Sequence, residues 1–214
     1  ACKDGNGLVP LKQPGEVYVP ELPDKAMEGK ELKVGLIGCG GRGNGAINDL
    51  FNAANGIKVH ALGDVFADRV ESTRKNIQEK HHQEVPAENC FIGFDAYKQV
   101  IDSGVDMVIL TTPPVFRPLH FQYATQKGKH SFLEKPIAVD AKGYRTIMAT
   151  AKQAQAKNLS VITGTQRHHQ RPYVEANKLI QAGYIGEITG GNVYWNQSML
   201  WYRNREKGWS DMEW

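Results

Sequence analysis

The spacing of apolar positions changes repeatedly along this chain. Residues 32–37, 57–63 and 105–110 are short, mostly apolar runs, and 90–94, 129–133 and 159–163 are shorter segments of the same kind. Runs of this length match strands of a parallel sheet covered on both faces. Between them lie segments with apolar residues every three or four positions, which match helices packed on such a sheet. Helices are expected over 44–54, with Ile47, Leu50 and Phe51 on one face, over 66–81, 95–102 and 116–127, and over 141–157, where Ile147, Ala151 and Ala154 are the apolar positions. Glu71 and Lys75 pair at i, i+4 on the outer side of the second. Asn55-Gly56, Gly104 and Gly128 supply stops. Regular alternation of the two periods predicts an α/β protein built on a doubly wound parallel sheet.

The two ends read differently. Residues 1–31 hold four prolines and show neither period, so they form an extended leader. The sheet domain closes near 165, giving boundaries of 32–165. Beyond it, 172–182 reads as a helix with Pro172 in its first turn and 187–196 alternates like a strand. Residues 166–214 are therefore the start of a second α/β domain, and with one strand written before Trp214 the sequence reads as a fragment of a longer chain.

The first strand runs into Gly38-Cys39-Gly40-Gly41-Arg42-Gly43, which fits the spacing of a dinucleotide-binding turn. Gly38 permits the turn, Gly40 lets backbone amides approach a pyrophosphate, and Gly43 lets the helix pack close to its strand. The helix N-terminus then faces the negative charge. Such a motif alone is weak in a chain with 22 glycines, but the second strand ends in Asp64. That lies about 20 residues on, where a carboxylate would accept hydrogen bonds from an adenosine ribose. A carboxylate there repels a 2′-phosphate and favours NAD over NADP, although Arg69, one helical turn later, could reach that phosphate. The fourth strand delivers Thr111-Thr112-Pro113-Pro114 to the carboxyl edge, where ligands of doubly wound sheets bind, and the fifth delivers Glu134-Lys135-Pro136 to the same edge. By itself, Glu134–Lys135 reads as a surface pair.

Composition adds mainly exclusions. A formal charge of +3 with no run of five basic residues makes no case for nucleic acid. No apolar stretch approaches the ~18 residues needed to span a bilayer. Cys39 and Cys90 lack metal-ligand or disulfide spacing, and His81-His82, diverging on a helix, read as a solvated helix end, so no metal is expected. Ala1-Cys2 followed by a polar tail resembles the mature end of a bacterial lipoprotein, which would place the protein at the cell envelope or periplasm. A fortuitous cysteine would leave it cytoplasmic.

The glycine turn, Asp64, the Thr111–Pro114 loop with His120 downstream, and above all residues 128–136 resemble the Gfo/Idh/MocA family of glucose–fructose oxidoreductase and inositol dehydrogenase. The likeness continues through 164–167 and 183–188 to Tyr194-Trp195-Asn196, covering about 32–214. It implies a Rossmann domain binding NAD, with NADP second, then a substrate domain that often carries homo-oligomer contacts. It also implies Lys135 beside the nicotinamide and the substrate hydroxyl, where an ammonium orients that hydroxyl and favours the developing alkoxide. The candidate cofactor contacts are then Gly38, Gly40, Gly41, Arg42, Gly43, Asp64, Thr111, Thr112, Pro113, His120, Glu134, Lys135 and Gln166. Arg167, Asn196 and Trp201 are candidates for substrate, guanidinium, amide and aromatic groups being suited to sugar hydroxyls and C–H faces as well as to an interface.

The resemblance implies an oxidoreductase moving a hydride between a nicotinamide cofactor and a hydroxyl of a sugar, cyclitol or derivative. Two alternatives stay open: a redox-neutral NAD-dependent glycoside-cleaving enzyme, and a non-catalytic nucleotide- or sugar-binding protein. The histidine and acid that usually complete the family site belong to the second domain and have no counterpart here, and His120 is not that histidine by position. This stretch is expected to bind cofactor more readily than it turns over substrate.

Overall fold

The structure, a computed structural model, describes residues 29–199, 204–211 and 214. Residues 1–28 of the expected leader, with Cys2, and the substrate candidate Trp201 lie outside them. Chain contacts divide the protein into two units, whose described residues are 29–174 in one and 175–199, 204–211 and 214 in the other.

The larger unit is a six-stranded sheet in the order β3-β2-β1-β4-β5-β6, every pairing parallel. Its strands are β1 Leu32–Ile37, β2 Ile57–Asp64, β3 Cys90–Ile92, β4 Met107–Leu110, β5 His130–Leu133 and β6 Val161–Thr163. Between them run α1 Gly41–Ala53, α2 Ala67–His81, α3 Ala96–Asp102, α4 Arg117–Gln126 and α5 Ala141–Ala156. This is the doubly wound α/β architecture of a Rossmann domain, reversing direction between β1 and β4.

Two apolar layers sandwich the sheet. One holds Val34, Leu36 and Ile109 with Ile47 of α1 and Val70 and Ile77 of α2. The other holds Ile37, Val108 and Leu110 with Val100 and Ile101 of α3, Phe121 of α4 and Ile147 of α5. Side chains of a strand alternate faces, so β1 and β4 feed both layers. The register between β1 and β2 skips at His60, pairing Val34 with Val59 and Gly35 with Ala61. That extra residue lets Ile57, Val59 and Leu62 enter the same layer despite their uneven spacing. Burying each such Val, Leu or Ile contributes about 1.5–3 kcal/mol.

Helix α1 begins at Gly41, three residues earlier than the apolar pattern indicates, because the first turn is made of glycines and arginine that show no periodicity. In the smaller unit, the carboxyl-terminal part of α6, Arg171–Gln181, leads to Gly183 and Gly186, both with positive φ. The strand expected over 187–196 is not formed. A strand is a pairing of two segments, and none of the described residues of that unit forms a second strand to pair with. Among the described residues no helix is long and apolar enough to cross a membrane.

Candidate dinucleotide site at the carboxyl edge of the sheet

β1 ends at Ile37 and the chain turns at Gly38, whose φ is +100°. A Cβ on Gly38 would lie 2.6 Å from the Thr112 nitrogen, and one on Gly43 would lie 2.0 Å from the Gly38 oxygen. These two glycines are required by the protein's own packing. The middle of the turn is the opposite case. A Cβ on Gly41 would meet nothing within 4 Å, and one on Gly40 would meet only the Arg69 guanidinium at 3.7 Å. Gly40 caps α1 without a side-chain hydrogen bond, and the first turn has no acidic residue. The result is an open cradle of backbone amides at a helix N-terminus, which fits a pyrophosphate.

The inner side of the turn is tied down. Asp64 accepts from the Cys39 amide at 2.7 Å and from the Phe66 amide at 3.0 Å. The Thr111 hydroxyl donates to the Gly38 carbonyl at 2.6 Å. The Cys39 carbonyl accepts from the Thr73 hydroxyl at 3.0 Å and the Asn44 amide at 3.3 Å, and Asn76 donates to Asn44 at 2.9 Å. Asp64 thus organises the turn and, with lone pairs to spare, can still face a ribose. Burial, reinforced by the Asp64 charge, pushes the Cys39 thiol well up from its ordinary value, so this cysteine packs as a neutral group.

A charged cluster lies beside the turn. Glu134, only 4% exposed, accepts from Nε of Arg42 at 2.6 Å and from the Lys135 amide at 3.2 Å. Gly164 makes room for it, since a Cβ there would sit 3.0 Å from its carboxylate. Arg42 also reaches Asp49 at 3.4 Å. Lys135 is exposed, precedes Pro136 through a cis peptide, and its ammonium forms no ion pair among the described residues. Arg117 escaped the sequence reading. It is buried, donates to the Thr112 carbonyl at 2.8 Å and to the Pro136 carbonyl, and burial lowers its pKa. The only available signal was an arginine between Phe116 and Pro118 at a helix start, which reads as a surface cap.

His120 is buried beside the Thr111–Pro114 loop. Its ring is stacked on Tyr97 at 4.2 Å, is 5% exposed, and lies 3.3 Å from the Thr112 hydroxyl. Its contact with the edge of the sheet is the one with Thr112. Burial lowers its pKa to about 4 from an ordinary value of 6.5. The folded histidine is neutral where the unfolded one takes up a proton, so stability is expected to fall as pH drops from about 6.5 to about 4. The loss should be about 3 kcal/mol. Urea titrations across that window check this, and His120→Phe, which keeps the stack, should flatten the dependence; an unchanged slope would refute the assignment.

Pro113 lies in the β4 loop, its carbonyl accepting from Phe116 at 3.0 Å. Gln166 opens a 3-10 turn after β6 and is exposed on the carboxyl side of the sheet. Arg167 is engaged by Tyr173, bonding its hydroxyl at 2.7 Å and lying over its ring. Asn196 is exposed in the smaller unit. His81 bonds Asn48 at 2.7 Å and stacks on Phe51, and no cluster of metal-ligating side chains occurs among the described residues.

Fold and cradle together define a dinucleotide-binding Rossmann domain. A sequence model of the oxidoreductase family with an NAD-binding Rossmann fold, Gfo/Idh/MocA, matches residues 32–163, and the chain belongs to that family. It is 28% identical over 160 residues to an inositol 2-dehydrogenase of Saccharopolyspora erythraea, spanning 75% of this chain and 44% of that protein. It is 24% identical over 186 residues to a glycosyl hydrolase family 109 protein of Solibacter usitatus, spanning 85% of this chain and 42% of that one. Among solved structures, scyllo-inositol dehydrogenase of Lactobacillus casei with NAD(H) and scyllo-inositol matches with a TM-score of 0.60 at 27% identity, covering 75% of this chain and 44% of the other. The chain thus spans less than half the length of these relatives.

Proposed function

We propose that this chain is the cofactor-binding part of an NAD-dependent oxidoreductase acting on a hydroxyl of a cyclitol or sugar. The observation that carries the reading is the joining of two features at one sheet edge. The open glycine cradle is linked through Arg42 and Glu134 to the backbone of Lys135. The inositol dehydrogenases among the relatives support the substrate class.

NAD supplies a hydride acceptor at nicotinamide C4. The chain's own groups do the rest: Gly40 and Gly41 admit the pyrophosphate to the helix N-terminus, and Asp64 holds the turn while facing the ribose. Lys135, exposed and with no ion pair on its ammonium among the described residues, would orient the substrate hydroxyl and stabilise the negative charge that develops on its oxygen.

Fluorescence titration of the purified protein with NADH and NADPH tests the reading. Tighter binding of NADH is expected, and Asp64→Ala should weaken it about 10-fold and narrow the preference, since both the ribose acceptor and a tie on the glycine turn are lost. Tighter binding of NADPH would overturn the role given to Asp64. In the intact enzyme, myo-inositol or scyllo-inositol should drive formation of NADH, followed by absorbance.

A further inference from the structure

Arg117 is buried, with 4% of its surface exposed, at the point where two loops of the site meet. Its terminal nitrogens donate to the carbonyls of Thr112 and Pro136. Those carbonyls belong to loops leaving the paired strands β4 and β5. The first loop abuts the glycine turn, because the Thr111 hydroxyl donates to Gly38. The second carries Glu134 and Lys135. A planar guanidinium presents its donors in a fixed fork and can hold two carbonyls at a set separation, which a single ammonium on a flexible stem cannot do.

The placement is costly. Among the described residues Nε of Arg117 is buried without a hydrogen-bond partner, and the counter-charge that acts on it, Glu134, accepts a hydrogen bond from Arg42 instead. An apolar side chain of similar length would fill the space without that cost, but would leave the two carbonyls unjoined.

We propose that Arg117 is a positioning residue for Lys135: by clamping the Thr112 and Pro136 carbonyls it fixes the backbone carrying the lysine against the loop that holds the glycine turn. With the Arg42–Glu134 pair this makes two independent links between the cofactor turn and the lysine. The proposal rests on the assignment of Lys135 beside the nicotinamide. Its sphere of action is geometric, so the dinucleotide's pyrophosphate and adenosine contacts should survive loss of the clamp.

The test uses Arg117→Lys and Arg117→Gln in the full chain, with Ile77→Ala, in the opposite core layer, calibrating a plain loss of stability. Three quantities are read: NADH affinity, the emission of bound NADH, and hydrogen exchange of the peptide covering 134–139. Both Arg117 variants should bind NADH within about threefold of wild type, while emission moves toward that of free NADH and exchange of 134–139 quickens about 10-fold or more. Lysine, restoring one bond of two, should fall between glutamine and wild type. Unchanged emission and exchange, or loosening spread evenly over the sheet as in Ile77→Ala, would overturn the proposal. Should neither variant fold, the wild type decides: the Arg117 Nη protons, followed by NMR with labelled arginine, must exchange slowly, and exchange at the rate of an exposed arginine refutes the clamp. Failure of the wild type to bind NADH would sink the reading of the site, leaving hydrogen exchange at 134–139 to decide the clamp separately.

Discussion

In the intact enzyme, Lys135→Met should lower kcat for hydride transfer roughly 10²–10⁴-fold while the NAD(H) dissociation constant changes by less than about threefold. The split follows from where the residue sits. Lys135 leaves β5 at the carboxyl edge, exposed, with its amide held by Glu134 and its ammonium in no ion pair among the described residues. Removing the ammonium therefore frees no buried partner and disturbs no core contact. What is lost is the positive charge beside a developing alkoxide and the donor that orients the hydroxyl, both of which matter more in the transition state than in the ground state. Steady-state kinetics with an inositol substrate, beside NADH titration of the same variant, make the measurement. Activity within about threefold of wild type would remove Lys135 from the chemistry.

Gly43→Ala acts on the other half of the site. Its new methyl would come 2.0 Å from the Gly38 oxygen and 3.0 Å from the Thr111 hydroxyl, and the first of these is backbone. Relief requires α1 to shift away from the end of β1. The expected cost is about 3 kcal/mol of stability, the upper end for overpacking, with NADH affinity falling by about 100-fold or more as the cradle opens. Gly41→Ala is the paired control: its methyl meets nothing within 4 Å, so the fold should keep its melting temperature while the methyl obstructs the cofactor. Thermal melts and NADH titration of both variants separate the two kinds of glycine. Wild-type binding by Gly43→Ala would show that the close approach of helix and strand is not needed.

The elements legible in the sequence were those with a strong period or a strong stop. α2, for instance, runs over Ala67–His81, within a residue of the expected 66–81, because its apolar stripe and charged face are continuous. Helix α1 shows the limit: its first turn carries no apolar period, so the pattern alone starts it too late. The strand expected over 187–196 shows another limit, since alternation makes a segment fit to pair but does not supply the partner. In the site, the glycines and Asp64 were readable because their spacing is set by local backbone geometry. Arg117 was not, because its two acceptors are carbonyls, which every residue possesses. His120 could be seen as a candidate by position, but its burial against Tyr97 depends on α3 packing beside α4.

The sequence by itself therefore determined the alternation of strand and helix, the glycine turn at the first crossing, and the arrival of Thr111 and Glu134-Lys135 at one edge of the sheet. These follow from periodicity, turn chemistry and the rule that parallel strands deliver their carboxyl ends to the same side. Only the tertiary structure decided which glycines serve packing and which leave a cradle, that Asp64 braces the turn, and that Glu134 links Arg42 to the lysine. The Cys39–Asp64 and Arg42–Glu134 contacts join residues 25 and 92 positions apart. They are fixed by strand order and helix packing, and no local pattern of residue types encodes a distance across the fold.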